Sequence, residues 1–463
     1  MFIGRKSELS FLEASYAEED SAFIPVYGRR RVGKSELILK FLGAKPGIYY
    51  LGKIAPAALQ IREFLQEAAR ALDEPLLSLL AASSWHEVFE AVTKKCSSQQ
   101  KFIITLDEFQ WMVAASPELP SVIQEFWDRY WRKSGNLMLI LCGSYIGFME
   151  REVLGRKSPL FGRRTGQILL RPFSYVEAAE FHPRWSLINR ALAYFICGGI
   201  PLYLRFFNQA CSVYRNIEEK ILDEFGPLFR EPDFLLREEL RDVEKYYAVL
   251  TAVAAGYGSN RDIALQSGIP ERSLHYYTQQ LRNIGYIGRR QPLTGNKANP
   301  RQVRYVLQDP LLRFWFRFVF PNLSFIQQMG PQRALRDRIR TDLDSYFGSC
   351  FESLCREALP LIYEREGVNA SFDVGEYWDK KVQIDVVGFR DDHWTDLGEC
   401  KWGGVKSYKQ LLGDLERKVR AYPNTRGATI GKRVFLRKKP GSGVRHGSGV
   451  SWYGLEDLYD GNA

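Results

Sequence analysis

The sequence has few cysteines and no long apolar run. Its 463 residues include seven scattered cysteines, an odd number, and none of them form a Cys-x-x-Cys pair. Neither a disulfide framework nor a zinc site is therefore indicated, and a reducing compartment is expected. The first six residues lack the apolar segment of a secretory signal, and no apolar stretch approaches the length of a membrane span. We expect a soluble, cytoplasmic protein with no membrane association.

The composition is that of a folded, basic protein. Hydrophobic residues make up 45% and aromatic residues 14%, which is enough for packed cores. Because single cores stop growing near about 250–300 residues, the length predicts more than one domain. Lysine and arginine number 64 against 54 acidic residues, a formal charge of +10. This balance favours an acidic partner, with nucleic acid ahead of a membrane surface.

Residues 23–40 are the most informative stretch, since their pattern predicts a strand, a glycine-bracketed loop and a helix. The loop has the form Gly-x-x-x-x-Gly-Lys-Ser, in the strand-and-helix context that this phosphate-binding pattern requires. Glycines allow backbone N–H groups to surround a phosphate, Lys34 can reach the β and γ phosphates, and the Ser35 hydroxyl can ligate Mg²⁺. The predicted nucleotide-binding residues here are Gly28, Arg29, Arg30, Arg31, Val32, Gly33, Lys34, Ser35 and Glu36.

Two acids follow an apolar run at residues 102–106, which reads as a buried parallel strand. Asp107 would hold Mg²⁺, usually through water, and Glu108 would polarise the attacking water as a general base. The alternative is a solvated acidic turn. It is the poorer explanation because Lys34 and Ser35 supply the other parts of a nucleotide site.

Further residues are predicted to contact the nucleotide, and for some of them the sequence also allows a purely structural role. Ser144, after the next buried strand, could contact the γ-phosphate, or could simply terminate the strand. Arg163 and Arg164 are candidates to stabilise charge on the transferred phosphoryl group, or belong to a solvated basic loop. Pro201, in Gly-Gly-Ile-Pro, marks a helix break that can lie beside the base.

Together these motifs resemble the archaeal-type ATPase family of the AAA+/STAND lineage. The resemblance rests on the opening Phe-Ile-Gly-Arg, the phosphate loop, Leu-Asp-Glu-Phe-Gln at 106–110, Pro-Leu-Phe-Gly-Arg-Arg at 159–164, and Gly-Gly-Ile-Pro at 198–201. It covers roughly residues 1–330 and implies a P-loop core, a helical lid and a winged helix. The choice of ATP over GTP also comes from this resemblance.

Residues 260–285 predict a helix-turn-helix, with two wing strands after it. Arg272, His275, Gln279 and Arg282 fall on or near the outer face of its second helix, which suits a DNA groove. Lys297, Arg301 and Arg304 would lie near phosphates. The alternative is a packing or regulatory module that makes no DNA contact.

The C-terminal region combines a helix carrying Glu352 with a strand containing Asp385 and a strand ending in Glu399-Cys-Lys401. Glu399 and Lys401 point to the same face of their strand. If Asp385 faces the same way, Asp385 and Glu399 can hold a divalent metal and Lys401 can orient the attacking water. Glu352 could complete this site. The alternative is a sheet whose acids form ordinary salt bridges with Lys401.

This order of elements resembles the PD-(D/E)xK restriction-endonuclease-like fold, although the first motif reads Gln-Ile-Asp rather than Pro-Asp. The resemblance implies catalytic roles for Asp385, Glu399, Lys401 and Glu352, with Mg²⁺ or Mn²⁺ at Asp385 and Glu399.

The predicted fold class is α/β. We expect a P-loop parallel-sheet ATPase core at 1–170, an α-helical lid at 171–240, a winged helix-turn-helix at 241–325, and a restriction-endonuclease-like domain at 326–463. The predicted function is ATP binding and hydrolysis with Mg²⁺, regulating a metal-dependent DNA endonuclease. The alternatives are a STAND-type ATP switch with an inactive nuclease-like module, or a DNA-binding regulator. The sequence does not decide whether the protein forms a homo-oligomer.

Overall fold

The computed structural model describes residues 2–96, 100–295, 302–440 and 449–460. The chain forms two compact units, Met1–Pro172 and Phe173–Ala463. The finer division of the second unit into lid, winged helix and C-terminal domain stays a prediction. In the described parts of the chain, no helix is both long and apolar enough to cross a membrane.

The first unit is built on a parallel sheet in the order β2-β3-β4-β1-β5. Its strands are β1 (Ala22–Tyr27), β2 (Gly47–Leu51), β3 (Phe102–Asp107), β4 (Leu137–Gly143) and β5 (Ile168–Leu169). Every residue of β1, β3 and β4 is buried, as expected of central parallel strands covered on both faces. The parallel arrangement brings the loops that follow β1, β3 and β4 to one edge of the sheet.

Helices cover this sheet because their apolar residues recur at helical spacing. They are α1 (Lys6–Ala17), α2 (Lys34–Leu42), α3 (Ala57–Ala71), α4 (Trp85–Lys95), α5 (Phe109–Ala115), α6 (Leu119–Phe126), α7 (Arg132–Ser134) and α8 (Ile146–Phe148). The core is strongly aromatic: Phe64 packs edge to face on Trp85 and Phe89, at centroid distances of 5.6 and 6.0 Å, and Trp85 lies tilted against Phe89 at 5.8 Å. Such pairs stabilise a core beyond the area they bury.

The second unit begins with helices. They are α9 (Tyr175–Ala179), α10 (Leu187–Cys197), α11 (Pro201–Phe206), α12 (Val213–Asn216), α13 (Glu231–Glu239), α14 (Val243–Ala254), α15 (Asn260–Ser267) and α16 (Glu271–Asn283). The antiparallel hairpin of β6 (Ile287–Arg290) and β7 (Arg304–Leu307) follows. Gly268 ends α15 at φ 68, a left-handed conformation that glycine adopts without steric cost, so the turn between α15 and α16 forms where the sequence predicted it.

The remaining helices are α17 (Pro310–Phe314), α18 (Leu323–Met329), α19 (Pro331–Ala334), α20 (Arg340–Arg365), α21 (Tyr408–Ala421) and α22 (Leu455–Tyr459). Residues 333–342, a stretch rich in charged side chains, are helical through α19, a π-helical turn at Leu335–Ile339, and the start of α20. The reason is that Ala334, Leu335 and Ile339 are buried, so the charged residues occupy only the outer face.

The C-terminal sheet is mixed, in the order β12-β11-β10-β9-β8. Its strands are β8 (Phe372–Trp378), β9 (Gln383–Arg390), β10 (Trp394–Lys401), β11 (Thr429–Leu436) and β12 (Val450–Tyr453). Strands β8, β9 and β10 are antiparallel, whereas β11 and β12 run parallel to β10. Helix α20 packs on this sheet, and Tyr363 donates a 2.5 Å hydrogen bond to the buried Asp396. A side chain at Gly388 would collide with the Tyr363 hydroxyl, which explains a glycine there.

Candidate functional site

The phosphate loop connects β1 to α2 in a conformation that depends on its glycines. Gly33 precedes α2 at φ 90, and Arg31 also has a positive φ of 67. A Cβ atom on Gly28 would lie 2.3 Å from the Leu170 carbonyl oxygen, so the close approach of these two segments of the chain requires glycine. The loop therefore ends in a tight glycine turn at a helix N-terminus, a position that favours phosphate. Arg29, Arg30 and Val32 lie within the loop, and Glu36 is exposed on the first turn of α2.

Lys34 is buried, and its ammonium group crosses the loop. Its Nζ donates to the carbonyl oxygens of Gly28 at 3.0 Å and Arg29 at 2.9 Å. Burial lowers the pKa of Lys34, while Cys142, Glu108 and Asp107 nearby oppose the shift. Backbone carbonyls are weak partners for a buried ammonium, so a phosphate oxygen at this position would be a stronger one.

Asp107 ends β3 and is fully buried. Its Oδ2 accepts hydrogen bonds of 2.6 Å from both the Ser35 hydroxyl and the Tyr49 hydroxyl. Burial, and then the Asp107 charge, raise the pKa of Tyr49 well above its ordinary value, so this tyrosine remains a donor. A serine hydroxyl and a carboxylate in contact are oxygen ligands of the kind Mg²⁺ prefers, and the residues present therefore fit that ion.

Glu108 follows at φ 50, an uncommon backbone conformation for this residue. Its carboxylate accepts a 2.8 Å hydrogen bond from the Ser144 hydroxyl and another from the Gln110 amide. Gln110 also donates to Ser144 at 3.1 Å. Within the described part of the chain, the Gln110 Oε1 atom is buried without a hydrogen-bond partner. The predicted residues Glu108 and Ser144 are thus in direct contact, and Gln110 joins them although the sequence did not single it out.

The two candidate arginines have different surroundings. Arg163 is held locally by a bidentate ion pair with Asp128, at 2.7 and 2.9 Å, and by the Pro159 carbonyl at 2.7 Å. Arg164 is exposed, and its charge acts on Tyr27 at the end of β1. The structure therefore favours Arg164 over Arg163 as a side chain able to reach a ligand.

Pro201 lies in the second unit, as the first residue of α11. The turn before it is tight, because a Cβ atom on Gly199 would lie 1.8 Å from the Phe173 carbonyl oxygen. The predicted helix break is present, while its contact with a nucleotide base stays a prediction.

Arg5 is a residue whose role the sequence did not indicate. Its guanidinium is buried and donates to the carbonyl oxygens of Val32 at 3.0 Å and Arg171 at 2.8 Å. The opening segment is thereby attached to the phosphate loop. The only signal in the sequence was Arg5 itself, in the Phe-Ile-Gly-Arg motif; its partners are backbone atoms that leave no pattern.

The C-terminal sheet brings the second set of predicted residues together. Strands β9 and β10 pair Val386 with Gly398, and the same antiparallel register sets Asp385 opposite Glu399. The backbone N–H of Cys400 donates to the Asp385 carboxylate at 2.9 Å, and Lys401 contacts Glu399 at 2.9 Å. Asp385, Glu399 and Lys401 therefore lie at one place, as the strand alternation predicted.

Two basic residues that the sequence did not indicate complete this cluster. Lys418 on α21 forms an ion pair with Glu399. Arg356 on α20 donates to the Asp385 backbone carbonyl at 2.6 Å. Neither has a local sequence signal, because separate helices bring them to the sheet.

Burial raises the pKa values of two acids in this region, Asp385 and Glu352. Burial, followed by the Glu399 charge, raises the pKa of Asp385 to about 6. Burial and then the Asp385 charge raise the pKa of Glu352 to about 7, so Glu352 is close to Asp385 as expected. In the described ranges, no group of three or more His, Cys, Asp or Glu residues is arranged to hold a metal ion. The metal role of Asp385 and Glu399 stays a prediction, and the lysine contacts of Glu399 also fit the salt-bridge alternative.

Some of the residues predicted to contact DNA are exposed to solvent, and others contact neighbouring protein side chains. Arg272 and His275 are exposed on α16, whereas Arg282 donates to Gln279 at 3.2 Å. Arg304 was expected near phosphates, but its guanidinium lies 4.6 Å from the ring centre of Trp378 on β8. Lys297 and Arg301 lie outside the described residues.

The hairpin of β6 and β7 contacts the C-terminal sheet closely. Arg290 forms an ion pair with Glu376 at 3.0 Å, and the Leu293 N–H donates to the Glu376 carbonyl at 2.8 Å. The Tyr422 hydroxyl donates to the Leu293 carbonyl at 3.0 Å. Arg290 is thus used within the unit, whereas Arg289 and Arg304 of the hairpin are exposed.

Comparison with known families agrees with the P-loop geometry. Residues 2–206 match a family described as an ATPase domain predominantly from Archaea. Residues 315–411 match a second family, DUF234, described as archaeal and bacterial proteins of unknown function. The fold, the phosphate loop and the first match define an ATPase with an additional C-terminal sheet domain.

A full-length relative extends this result. The uncharacterized protein MJECL04 of Methanocaldococcus jannaschii is 30% identical over 424 residues, covering 90% of this chain and 92% of that protein. The chain belongs to the same family as MJECL04. The uncharacterized ATP-binding protein MJ0423 of the same organism is 56% identical over 45 residues, 10% of this chain and 76% of that protein.

Among solved structures, the Walker-type ATPase PABY2304 of Pyrococcus abyssi has a similar fold. It aligns with a TM-score of 0.50 and 22% identity, covering 68% of this chain and 96% of that one. At this identity the likeness concerns the fold alone.

Proposed function

We propose that the first unit binds ATP with Mg²⁺ and hydrolyses it. The observation that carries this proposal is the contact between Ser35 and Asp107 beside the buried Lys34. Lys34 and the loop N–H groups would hold the phosphates, while Ser35 and Asp107 would hold the ion. When bound, Mg²⁺ neutralises charge developing on the phosphate oxygens.

Glu108 is the general base in this proposal, and Ser144 and Gln110 hold its carboxylate at the sheet edge. Its left-handed backbone directs the side chain toward the edge where β1, β3 and β4 end. Arg164 is the arginine proposed to approach the transferred phosphoryl group. Release of Glu108 from Ser144 and Gln110 would then precede activation of water.

We further propose that the C-terminal sheet is a metal-dependent DNA nuclease site regulated by the ATPase. Supporting this is the placement of Asp385 opposite Glu399, with Lys401 in contact. Asp385 and Glu399 would hold Mg²⁺ or Mn²⁺, and Lys401 would orient water. The exposed Arg272 and His275 on α16 would supply DNA contacts, and the basic balance of the chain favours such a partner.

A second candidate is an ATP-driven switch whose C-terminal sheet is an inactive interaction module. It is favoured by the double lysine pairing of Glu399, since Lys401 and Lys418 already compensate its charge. A third, a DNA-binding regulator, would use α16 without cleavage.

The experiment that separates these functions is cleavage of plasmid, linear, single-stranded and branched DNA by the full chain. It is run with Mg²⁺ or Mn²⁺, with and without ATP. Asp385→Asn and Lys401→Ala should abolish cleavage, whereas Asp391→Asn, at an exposed acid of the turn after β9, should not. If the wild type cuts no substrate, the nuclease proposal fails and the switch is the better account. Binding at one defined DNA sequence would instead support the regulator.

A further inference from the structure

A cavity of about 400 Å³ lies within the second unit, between α14, the β6–β7 hairpin and α20. It is lined on one side by residues 253–256, 258 and 304–307, and on the other by Ser345, Ser349 and Ser353 of α20. These serines recur every four residues and so share one face of the helix. A cavity of this volume is at the lower end of the range for small-molecule sites.

Arg313 lines this cavity; burial lowers the pKa of its guanidinium, but Cys350, Tyr346 and Asp309 nearby more than offset this effect and raise it. Its Nε donates to the Tyr346 hydroxyl at 3.3 Å and its Nη2 to the Cys350 sulfur at 3.3 Å. Among the described residues, no carboxylate forms an ion pair with it. Three of the five guanidinium N–H groups therefore lack a protein acceptor in the described part of the chain.

Two other arginines of the cavity pair with acids that also line it. Arg290 pairs with Glu376 at 3.0 Å, and Arg317 pairs with Asp342 at 3.7 Å and donates to the Ala255 carbonyl. Burial, then the Arg356 charge, lowers the pKa of Arg290, and Arg313 adds to this effect. The lining contains four arginines and three acids (Arg290, Arg304, Arg313, Arg317, Asp342, Glu352 and Glu376), so positive charge is in excess by one. The N–H groups of Arg313 that lack a protein acceptor are available to a ligand with negative charge.

We propose that this cavity binds a phosphate-bearing ligand no larger than a mononucleotide, with Arg313 as its anchor. A guanidinium presents its N–H groups in a planar fork that matches two phosphate oxygens. The Ser345 and Ser349 hydroxyls lie on the neighbouring wall and can donate to further oxygens. The site is distinct from the phosphate loop, which lies in the other unit. It shares Glu352 with the proposed nuclease site, but its ligand binding can be measured whether or not that site cuts DNA.

The phosphate could belong to a free nucleotide or to a nucleic-acid strand, and the test distinguishes these sources. Calorimetric titrations use the full chain carrying Lys34→Ala, which silences the phosphate loop. The probes are inorganic pyrophosphate, AMP, and a short single-stranded DNA without terminal phosphates. We expect one site for pyrophosphate or AMP per chain, with the oligonucleotide unable to displace it.

Variants of Arg313 test whether its guanidinium anchors the ligand. Arg313→Gln should weaken binding at least tenfold, and Arg313→Lys, which keeps the charge but loses the fork, should give an intermediate affinity. Arg336→Gln, at an exposed arginine paired with its neighbour Asp337, is the matched control and should bind normally. Thermal melting verifies that the variants are folded. Absence of binding, binding indifferent to Arg313, or displacement by the oligonucleotide alone would each overturn the small-ligand proposal.

Discussion

The Ser35 hydroxyl donates a 2.6 Å hydrogen bond to the Asp107 carboxylate, although 72 residues separate the two. The contact exists because β1 and β3 run parallel in one sheet, so the loop after one strand reaches the end of the other. Two oxygen ligands from distant segments are thereby held in place before any ion arrives. Preorganisation of this kind lowers the cost of binding Mg²⁺ with the nucleotide.

Asp107→Asn should lower Mg²⁺-dependent ATP hydrolysis by about 100-fold or more, because it removes the charged metal ligand. ATP binding measured in EDTA should change little. Tyr49→Phe is the matched control: it removes the other hydrogen bond to the same carboxylate and leaves the ligand itself. Equal losses in the two variants would show that Asp107 acts through its hydrogen bonds alone.

Glu108→Gln should reduce kcat by about 10²–10⁴-fold, the range for a lost general base, with little change in ATP affinity. Ser144→Ala and Gln110→Ala should have smaller effects on kcat, since they remove groups that position Glu108. Single-turnover hydrolysis beside equilibrium binding of ATP provides the measurement. A Glu108→Gln protein with full turnover would assign the base to another residue.

The parts of the molecule that the sequence predicted are those with local patterns. The strands at 22–27, 102–107 and 137–143 follow from uninterrupted apolar runs, and the phosphate loop follows from its glycine spacing. The alternation of side chains along a strand predicted that Glu399 and Lys401 point to the same face of β10. In each case the information lies within a few neighbouring residues.

The parts that the sequence did not predict depend on contacts between distant segments. Arg5 reaches a backbone carbonyl of the phosphate loop, and Lys418 reaches Glu399 from another helix. Arg304 is exposed, so its predicted role near phosphates stays a prediction, while its contact with the Trp378 ring required knowing that the hairpin lies against β8. Basic residues carry no mark in the sequence that distinguishes a solvent-facing position from a packed one.

Arg164→Ala should lower ATP turnover without changing stability, since Arg164 is exposed. Arg163→Ala should instead lower stability by up to about 1 kcal/mol through loss of its partly exposed ion pair, and Asp128→Ala should match it. Turnover assays and urea unfolding of the three variants provide the comparison. A turnover defect in Arg163→Ala, absent from Asp128→Ala, would reverse the assignment of the two arginines.

The raised pKa of Glu352 gives a prediction for stability against pH. Its pKa moves from 4.5 to about 7, so the folded state holds the proton more tightly than the unfolded state. The stability contributed by the neutral carboxyl is present below pH 4.5 and is lost as the pH rises through about 7. Glu352→Gln, which stays neutral, should therefore melt at a higher temperature than the wild type at pH 8.

At pH 5 the two proteins should melt at similar temperatures, because the wild-type Glu352 is then largely protonated when folded. Scanning calorimetry at both pH values tests the difference. Glu364→Gln, at an exposed acid near the end of α20, is the control and should show no such pH dependence. A Glu352→Gln advantage of equal size at both pH values would mean that the carboxyl is not titrating as described.

The contact between the hairpin and the C-terminal sheet should respond unequally to loss of its two partners. Glu376 lies between Arg290 at 3.0 Å and Arg356 at 3.6 Å; Glu376 and Arg356 are largely buried, whereas Arg290 is 33% exposed. Glu376→Ala leaves two guanidinium groups without their acid and should destabilise the second unit by about 3 kcal/mol or more. Arg290→Ala leaves Glu376 paired with Arg356 and should cost clearly less.

Urea unfolding of both single variants and of the double variant measures the coupling between these residues. Because Arg290 without Glu376 is unfavourable, the double variant should be more stable than Glu376→Ala alone. This recovery separates a buried charge effect from loss of packing, which would add in the double variant. Simple additivity would therefore mean that the hairpin is held by the hydrogen bonds of the Leu293 backbone, to the Glu376 carbonyl and from the Tyr422 hydroxyl, rather than by its ion pair.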